Sequence, residues 1–426
     1  MSKLLIHLAD LRADPMNWLA ALVFFTAAFF LTLKGTATTS LFLMFFICSW
    51  PIIKTPRHYF AGRGPQFWVL ILCLLSPFLA EVLAQAGRGS FIGSSLDGPS
   101  RAILAAGIFT YLSKKDCTNL LSALGIGSAV GIVLVFLYLQ VFPEHYWGDR
   151  AATYFVDPIT LSCYTVVLLG LYLFGDYPNI PRKVSNFAKL LISILTIYIA
   201  IESQSRSSWV AGVVLGEIYL LYTFRASLMK QILATLALAL GCFAIFAFSD
   251  VVFNRLSLAY QGLFSFLAEG GGQRSSTGQR MVLLLIDFEL IKDNLFFGVA
   301  DGVMPTYEYL QSKIPSINEE IYNIKVLAGS HSEFFAQIVR KGVFFGGLAI
   351  WGLFGYPVYL IVREFFRKGF LGEELQKLLG LVVLLFVSGF TIQVFNLKMT
   401  TAFYMLLLAI FFGCFHFRFS SQSKLK

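Results

Sequence analysis

The chain has 426 residues, of which 57% are hydrophobic and 13% charged, with a net charge of +9. A soluble domain carries about 25% charged residues, so this composition excludes an ordinary soluble protein and points to an integral membrane protein. The apolar runs approach the ~20 residues a spanning helix needs and do not alternate as barrel strands do, so the spans are expected to be helices.

Twelve spans are predicted, at 17–33, 38–53, 67–85, 100–113, 118–142, 157–175, 187–203, 207–224, 229–249, 342–362, 374–394 and 399–417. Met1 to Pro15 is polar and 17–33 is long enough to be a true span, so no cleavable signal is expected. With the N-terminus inside, the inward segments hold 19 Lys and Arg and the short outward loops hold 6. That bias fixes the orientation. The positive charge therefore reports topology and gives no reason to invoke nucleic acid. The predicted organisation is nine spans over 1–249, a long outward loop over 250–341, and three spans with an inward C-terminus over 342–426. Of the six cysteines, five fall in spans and Cys117 at an inner boundary. None has metal-ligand spacing and no disulfide is expected on the outward face.

The outward loop 86–101 is rich in glycine and serine. It closes on Asp97 and Arg101 at the membrane boundary, where Arg101 reads as an anchor or as a support for an outward site. The next loop, FPEHYWGDRAATYFVDPIT, has the aromatics of an interfacial belt. There His145 reads as an interfacial residue, and Arg150 as either an ion-pair partner of Asp149 or Asp157 or a cation at the mouth. Asp157-Pro158 is ordinary helix-start chemistry. The turn at 201–212 joins two spans over a few residues, which puts Glu202, Ser205 and Arg206 at or below the interface. A charge at that depth is expected to face a wet cavity or a partner. A Glu202–Arg206 pair at i, i+4 is the structural alternative.

In the long loop, Gly270–Gly272 with Ser275 and Ser276 reads as a flexible joint. Thr277 is expected to cap a helix over 278–294, with Arg280 in its first turn. Asp287 and Glu289 make that helix too charged to span, so an amphipathic interfacial helix is predicted. Residues 297–328 read as loop with one short helix near 305–313. Ser330-His331-Ser332-Glu333 matches a capping box, with Ser330 as the cap and His331 as the first helical residue. A helix N-terminus disfavours imidazolium, so His331 is expected to be neutral near pH 7 and able to accept a proton. A lone loop histidine with no chemical role is the alternative. Gly342, Gly346 and Gly347 are expected to allow close helix packing, and Lys398 to anchor an outward turn.

Four basic side chains thus converge on the outward mouth: Arg150, Arg206, Arg280 and His331. Guanidinium groups suit a phosphate or diphosphate through bidentate bonds. In a low-dielectric site they stabilise charge developing on a leaving phosphate, in the place of a metal ion. A neutral histidine beside them would act as general base on a hydroxyl. That set describes group transfer from a lipid diphosphate to an alcohol. A transporter of an anionic lipid or sugar would use the same arginines without a base. Such proteins usually show an internal repeat and mid-membrane polar residues, and neither is clear here.

SQSRSSWVAG from Ser203, TGQRMVLLLIDFELIKDNLFFGVADG from Thr277 and HSEFFAQIVRKGVFFGGL from His331 resemble the O-antigen ligase/polymerase superfamily of bacterial envelope enzymes. The order, the spacing and the long loop before the last three spans agree, and GDRAATYFVDPITLS from Gly148 resembles that family's earlier outward loop. The resemblance implies a metal-independent, inverting glycosyltransferase of the GT-C kind, without a cofactor, acting at the periplasmic face of the inner membrane in lipopolysaccharide biosynthesis. Its donor would be an undecaprenyl-diphosphate-linked glycan. Arg206 and Arg280 match the family's functional arginines, His331 its essential histidine, and Arg150 matches less closely. Arg101, Glu333 and Ser205 are candidates for support. Asp157 departs from the Asn that relatives often carry. Chain length and a single outward loop of roughly ninety residues resemble the ligase, whose acceptor is lipid A-core. An O-antigen polymerase and an O-oligosaccharyltransferase are the alternatives within the superfamily.

Overall fold

The computed structural model describes residues 14–423, apart from 143–146, 149, 179, 270–275, 301–302 and 396. The expectations for His145, Asp149 and the joint at 270–275 lie outside the described residues. Within them the regular structure is helical, with only two isolated bridges, Trp147 to Arg150 and Thr153 to Val156.

The helices are α1 (Pro15–Phe29), α2 (Thr36–Lys54), α3 (Pro56–Phe60), α4 (Pro65–Arg88), α5 (Arg101–Leu112), α6 (Thr118–Val141), α7 (Pro158–Leu173), α8 (Arg182–Glu202), α9 (Arg206–Thr223) and α10 (Leu228–Phe248). They continue as α11 (Asp250–Glu269), α12 (Ser276–Asp293), α13 (Tyr307–Lys313), α14 (Glu319–Ala328), α15 (Glu333–Ile350), α16 (Tyr356–Lys368), α17 (Glu373–Gly389) and α18 (Lys398–Ser423). Starts follow local chemistry. Asp14 and Asp157 each accept a backbone N–H of the helix that follows, with proline at the first position of both.

Seven of the described stretches are long and apolar enough to cross a membrane, against twelve predicted spans. They are α2, α4, α6, α8, α10, the joined stretch Glu333–Lys368, and Lys398–Ser421; α1 and α7 are apolar but shorter. The segments predicted at 100–113, 207–224 and 374–394 are helical without reaching that combination of length and hydropathy. Burial sorts the spans. The α18 stretch is 89% buried and forms the centre, packed on α2, α4, α5 and α17. By contrast α10 buries none of its apolar window and touches only α9 and α11 closely. Lipid is the natural solvent for its Leu and Phe side chains. Against α1, α6 presents Gly127 and Gly131, four residues apart. A Cβ at Gly127 would lie 2.6 Å from the Phe24 carbonyl, so the contact tolerates only glycine.

Residues 250–332 build a layer of their own rather than a single helix lying on the bundle. Val282, Leu283, Ile286 and Leu290 of α12 form a second core with Leu310 of α13, Ile321 of α14 and Val339 of α15. The predicted short helix near 305–313 is α13. Two helices read as loop from the sequence, α11 and α14, are present as well.

Of the glycines of α15, Gly342 and Gly346 make the close approaches expected of them, to the Phe296 and Gln337 carbonyls, while Gly347 faces open space. Gly342 has φ 78° and ψ 169°, a conformation open to glycine, and it breaks the helix sharply. The turn of chain at Phe296–Gly298 packs into this break, with Val299 N–H donating to the Val339 carbonyl at 2.7 Å and Val343 N–H to Leu295 at 2.8 Å. The Arg88 guanidinium donates to the Phe297 carbonyl and, at 2.8 Å, to the Arg340 carbonyl freed by the break.

Candidate active site

The turn between α8 and α9 is the base of the site. Gln204 has φ 53°, a left-handed conformation unusual for a residue with a side chain. This reversal exposes the Ser203 carbonyl, which accepts from Arg150 Nε at 3.0 Å, and the Glu202 carbonyl, which accepts from Ala151 N–H at 3.0 Å. Arg150 is thereby tied to the turn and not to Asp157, whose carboxylate is occupied capping α7 through Ile159 and Thr160. The Gln204 side chain accepts from Arg255 Nε of α11 at 2.6 Å. Ser205 is buried, with its carbonyl accepting from Ser208 Oγ at 2.7 Å. Its place is structural support for the turn.

Arg206 opens α9. Instead of pairing with Glu202, it donates from Nη1 to Thr277 Oγ1 at 3.3 Å. Thr277 lies within α12, which is described from Ser276 onward, and its hydroxyl serves Arg206. Arg280 lies three residues on and so shares that face of α12. Burial is the main cause that lowers the Arg280 pKa to about 10, and the fields of Arg206 and Arg150 add to it. Burial also lowers Arg150, with Arg255 next in effect. Four guanidinium groups therefore share one neighbourhood, a costly arrangement that an anion would relieve.

His331 belongs to the same neighbourhood. Its pKa falls to about 4, first through burial, then through Arg280 and Lys325. The predicted capping box is not formed. The α15 helix starts at Glu333 with Ser332 as its cap, so His331 precedes the helix. Long-range partners outcompete the local ones. Ser330 Oγ donates to Asp287 Oδ1 at 2.7 Å and accepts from Lys325 Nζ at 2.8 Å. Ser332 Oγ donates to the Gly389 carbonyl at 3.0 Å. The Glu333 carboxylate accepts from Gln337 Nε2 at 2.6 Å and from Phe395 N–H at 3.1 Å. Both neighbours of His331 are thus pinned, one to the outer layer and one to the end of α17. The neutral state expected of His331 arises from burial and neighbouring cations, not from a helix terminus.

Asp287 and Lys325 form a direct, fully buried ion pair that sequence reasoning missed, as it missed Arg255. Burial pushes Asp287 up and Lys325 down, and each opposes the shift in the other. Arg101 turns elsewhere. It is buried and pairs with Asp97 at 3.2 Å, and the same carboxylate also takes Lys398.

A multi-span helical membrane protein with a histidine set among arginines, roofed by a small helical layer, is the class these features define. Residues 191–352 match the family model Wzy_C, O-antigen ligase, so that stretch is similar to the O-antigen ligase/polymerase superfamily. The matched stretch contains Ser205, Arg206, Arg255, Arg280, His331 and Glu333, and leaves Arg101 and Arg150 outside. It supports an O-antigen ligase/polymerase-type function and implies a glycosyltransferase-like enzyme of O-antigen assembly. No curated protein matches the chain.

Proposed function

We propose that the protein is an O-antigen ligase, which moves a glycan from undecaprenyl diphosphate to a sugar hydroxyl of lipid A-core at the periplasmic face of the inner membrane. Arg206, Arg280 and Arg150, joined by Arg255, bind the donor diphosphate and stabilise it as the leaving group. His331 takes the proton of the acceptor hydroxyl while that oxygen attacks the anomeric carbon. The bond from the anomeric carbon to the diphosphate oxygen breaks with its electron pair, and the configuration inverts. The departing diphosphate is a weak base, so no general acid is required. In this reading the enzyme is of the GT-C kind and the guanidinium clamp does the work of a metal ion. Twelve spans, an inward N-terminus and a periplasmic 250–341 layer belong to the same reading.

One observation carries it: α12 joins the two halves of the site, with Thr277 accepting from Arg206 one turn before Arg280 and Asp287 accepting from Ser330, the neighbour of His331, two turns after it. The imidazole is neutral at pH 7, and a bound diphosphate would offset the cations that suppress its basicity. The base would then strengthen only once the donor is seated. A polymerase would use the same donor site with a second lipid-linked glycan as acceptor. The test is transfer by purified protein in the presence of a chelator, offering lipid A-core and lipid-linked repeat units separately. Product on lipid A-core supports the ligase, and product on repeat units alone indicates the polymerase. A third arm offers a protein with Ser and Thr acceptors, where product would indicate the O-oligosaccharyltransferase; no product with any of the three removes the enzyme and favours a transporter.

A further inference from the structure

A cavity of about 260 Å³ lies between α4, the 3-10 turn Gly93–Leu96, α15 and the connection from α17 to α18. Its wall carries charges on two stretches that are long and apolar enough to cross a membrane, Pro65–Arg88 and Glu333–Lys368. Glu81, Glu333 and Lys341 line it and are 5%, 2% and 3% exposed. Lys341 Nζ lies 3.7 Å from Glu81 and donates to Gln337 Oε1 at 2.6 Å, and Gln337 in turn donates to Glu333. Apolar residues would hold these helices together at lower cost. Ionisable groups facing a cavity inside a membrane mark a substrate path.

The composition of the wall selects the ligand. The carboxylates of Glu81 and Glu333 stand beside the cations of Arg340, Lys341 and Lys398 and the amides of Gln337 and Gln393, so it offers acceptors as well as donors. A diphosphate would want donors alone, whereas a sugar hydroxyl both donates and accepts. Phe395 and Tyr404 add aromatic surface for the apolar face of a ring. The volume equals that of roughly nine waters at ~30 Å³ each, enough for one pyranose. Gln393 also lines the cavity and donates to the Ser330 carbonyl, one residue before His331. The Ser330 hydroxyl donates to Asp287 of α12, the helix that carries Arg280.

We propose that this cavity seats a hydroxyl-bearing sugar ring of the acceptor, beside the Ser330–His331 segment that Gln393 ties to its wall. The assignment rests on the transferase reading above. Ser95 lines the cavity and its hydroxyl has no hydrogen-bond partner, so Ser95→Trp adds bulk at the wall without removing a hydrogen bond. Gln337→Met keeps the size of the side chain and removes its amide. In transfer by the purified full chain, both variants should raise KM for lipid A-core roughly tenfold, the size of one or two lost hydrogen bonds. KM for the lipid-linked donor should stay within about twofold of wild type. Binding of free core oligosaccharide, which needs no turnover, should weaken in parallel. A rise in donor KM instead, or equal oligosaccharide binding by wild type and both folded variants, overturns the assignment. A wild type that binds the oligosaccharide but makes no product overturns the transferase reading and leaves the cavity assignment to the binding result.

Discussion

Lys325→Met tests whether the buried pair beneath His331 organises the site. Asp287 is fully buried and Lys325 is 3% exposed. Removing one partner of such a pair costs about 3–5 kcal/mol, because the remaining charge is left uncompensated. Here the lower end applies. Burial already raises the Asp287 pKa, so the carboxyl can take up a proton when its partner is gone. At ~2–4 °C per kcal/mol for a chain of a few hundred residues, a loss of about 3 kcal/mol lowers Tm by roughly 6–12 °C. The double variant Asp287→Leu/Lys325→Met replaces the pair with apolar groups and should recover most of that loss. Its Ser330 hydroxyl still lacks both partners, so transfer should stay down by about tenfold or more through misplacement of His331. Thermal unfolding in detergent and glycan transfer are read on the same samples. A single variant with wild-type Tm, or a double variant with full transfer, would refute this account of the pair.

The acid limb of kcat/KM should lie well below the ordinary histidine value, because the free His331 has a pKa of about 4; a limb at 6.5 would contradict the burial argument. The same shift bears on stability. The folded value lies below the unfolded one, so the contribution is complete above pH 6.5 and is lost as pH falls from 6.5 toward 4; pH titration of Tm checks that sign. Arg206→Lys keeps the charge and loses the fork, so transfer should fall by about 10–150-fold, the worth of a charged hydrogen bond; full activity would indicate a point charge. Gly342→Ala puts a side chain at φ 78° against the Phe296 carbonyl. It should cost at least ~1–3 kcal/mol, measured as Tm, and a neutral result would mean the break at Gly342 relaxes freely.

Some of this was legible in the residues and some was not. The turn at 203–205 announces itself, since two apolar runs meet over a few residues and Arg206 has nowhere else to lie. The match of residues 191–352 agrees with the superfamily resemblance seen in the motifs. Helix α14 was readable and overlooked: Asn318 caps it by accepting from Ile321 N–H at 2.8 Å, with Glu319 and Glu320 in the first turn. The partners of Ser330 and Glu333 were not readable, because they come from 43 and 62 residues away and displace the local capping box. Nothing local marks Arg255 or Lys325, whose roles depend on which helix lies opposite. The twelve spans read from the sequence exceed the seven described stretches that are long and apolar enough to cross a membrane. Short helices such as α1 and α7 fall below the length criterion, and the break at Gly342 joins a loop helix to a span in one continuous stretch.

The central claim is that His331 acts as a base beside a donor site that it does not itself build. His331→Ala should therefore bind the undecaprenyl-diphosphate-linked glycan with near wild-type Kd, yet transfer it about 10²–10⁴-fold more slowly in a single turnover. Transfer at the wild-type rate, or a loss of donor binding as large as the loss of rate, would contradict it.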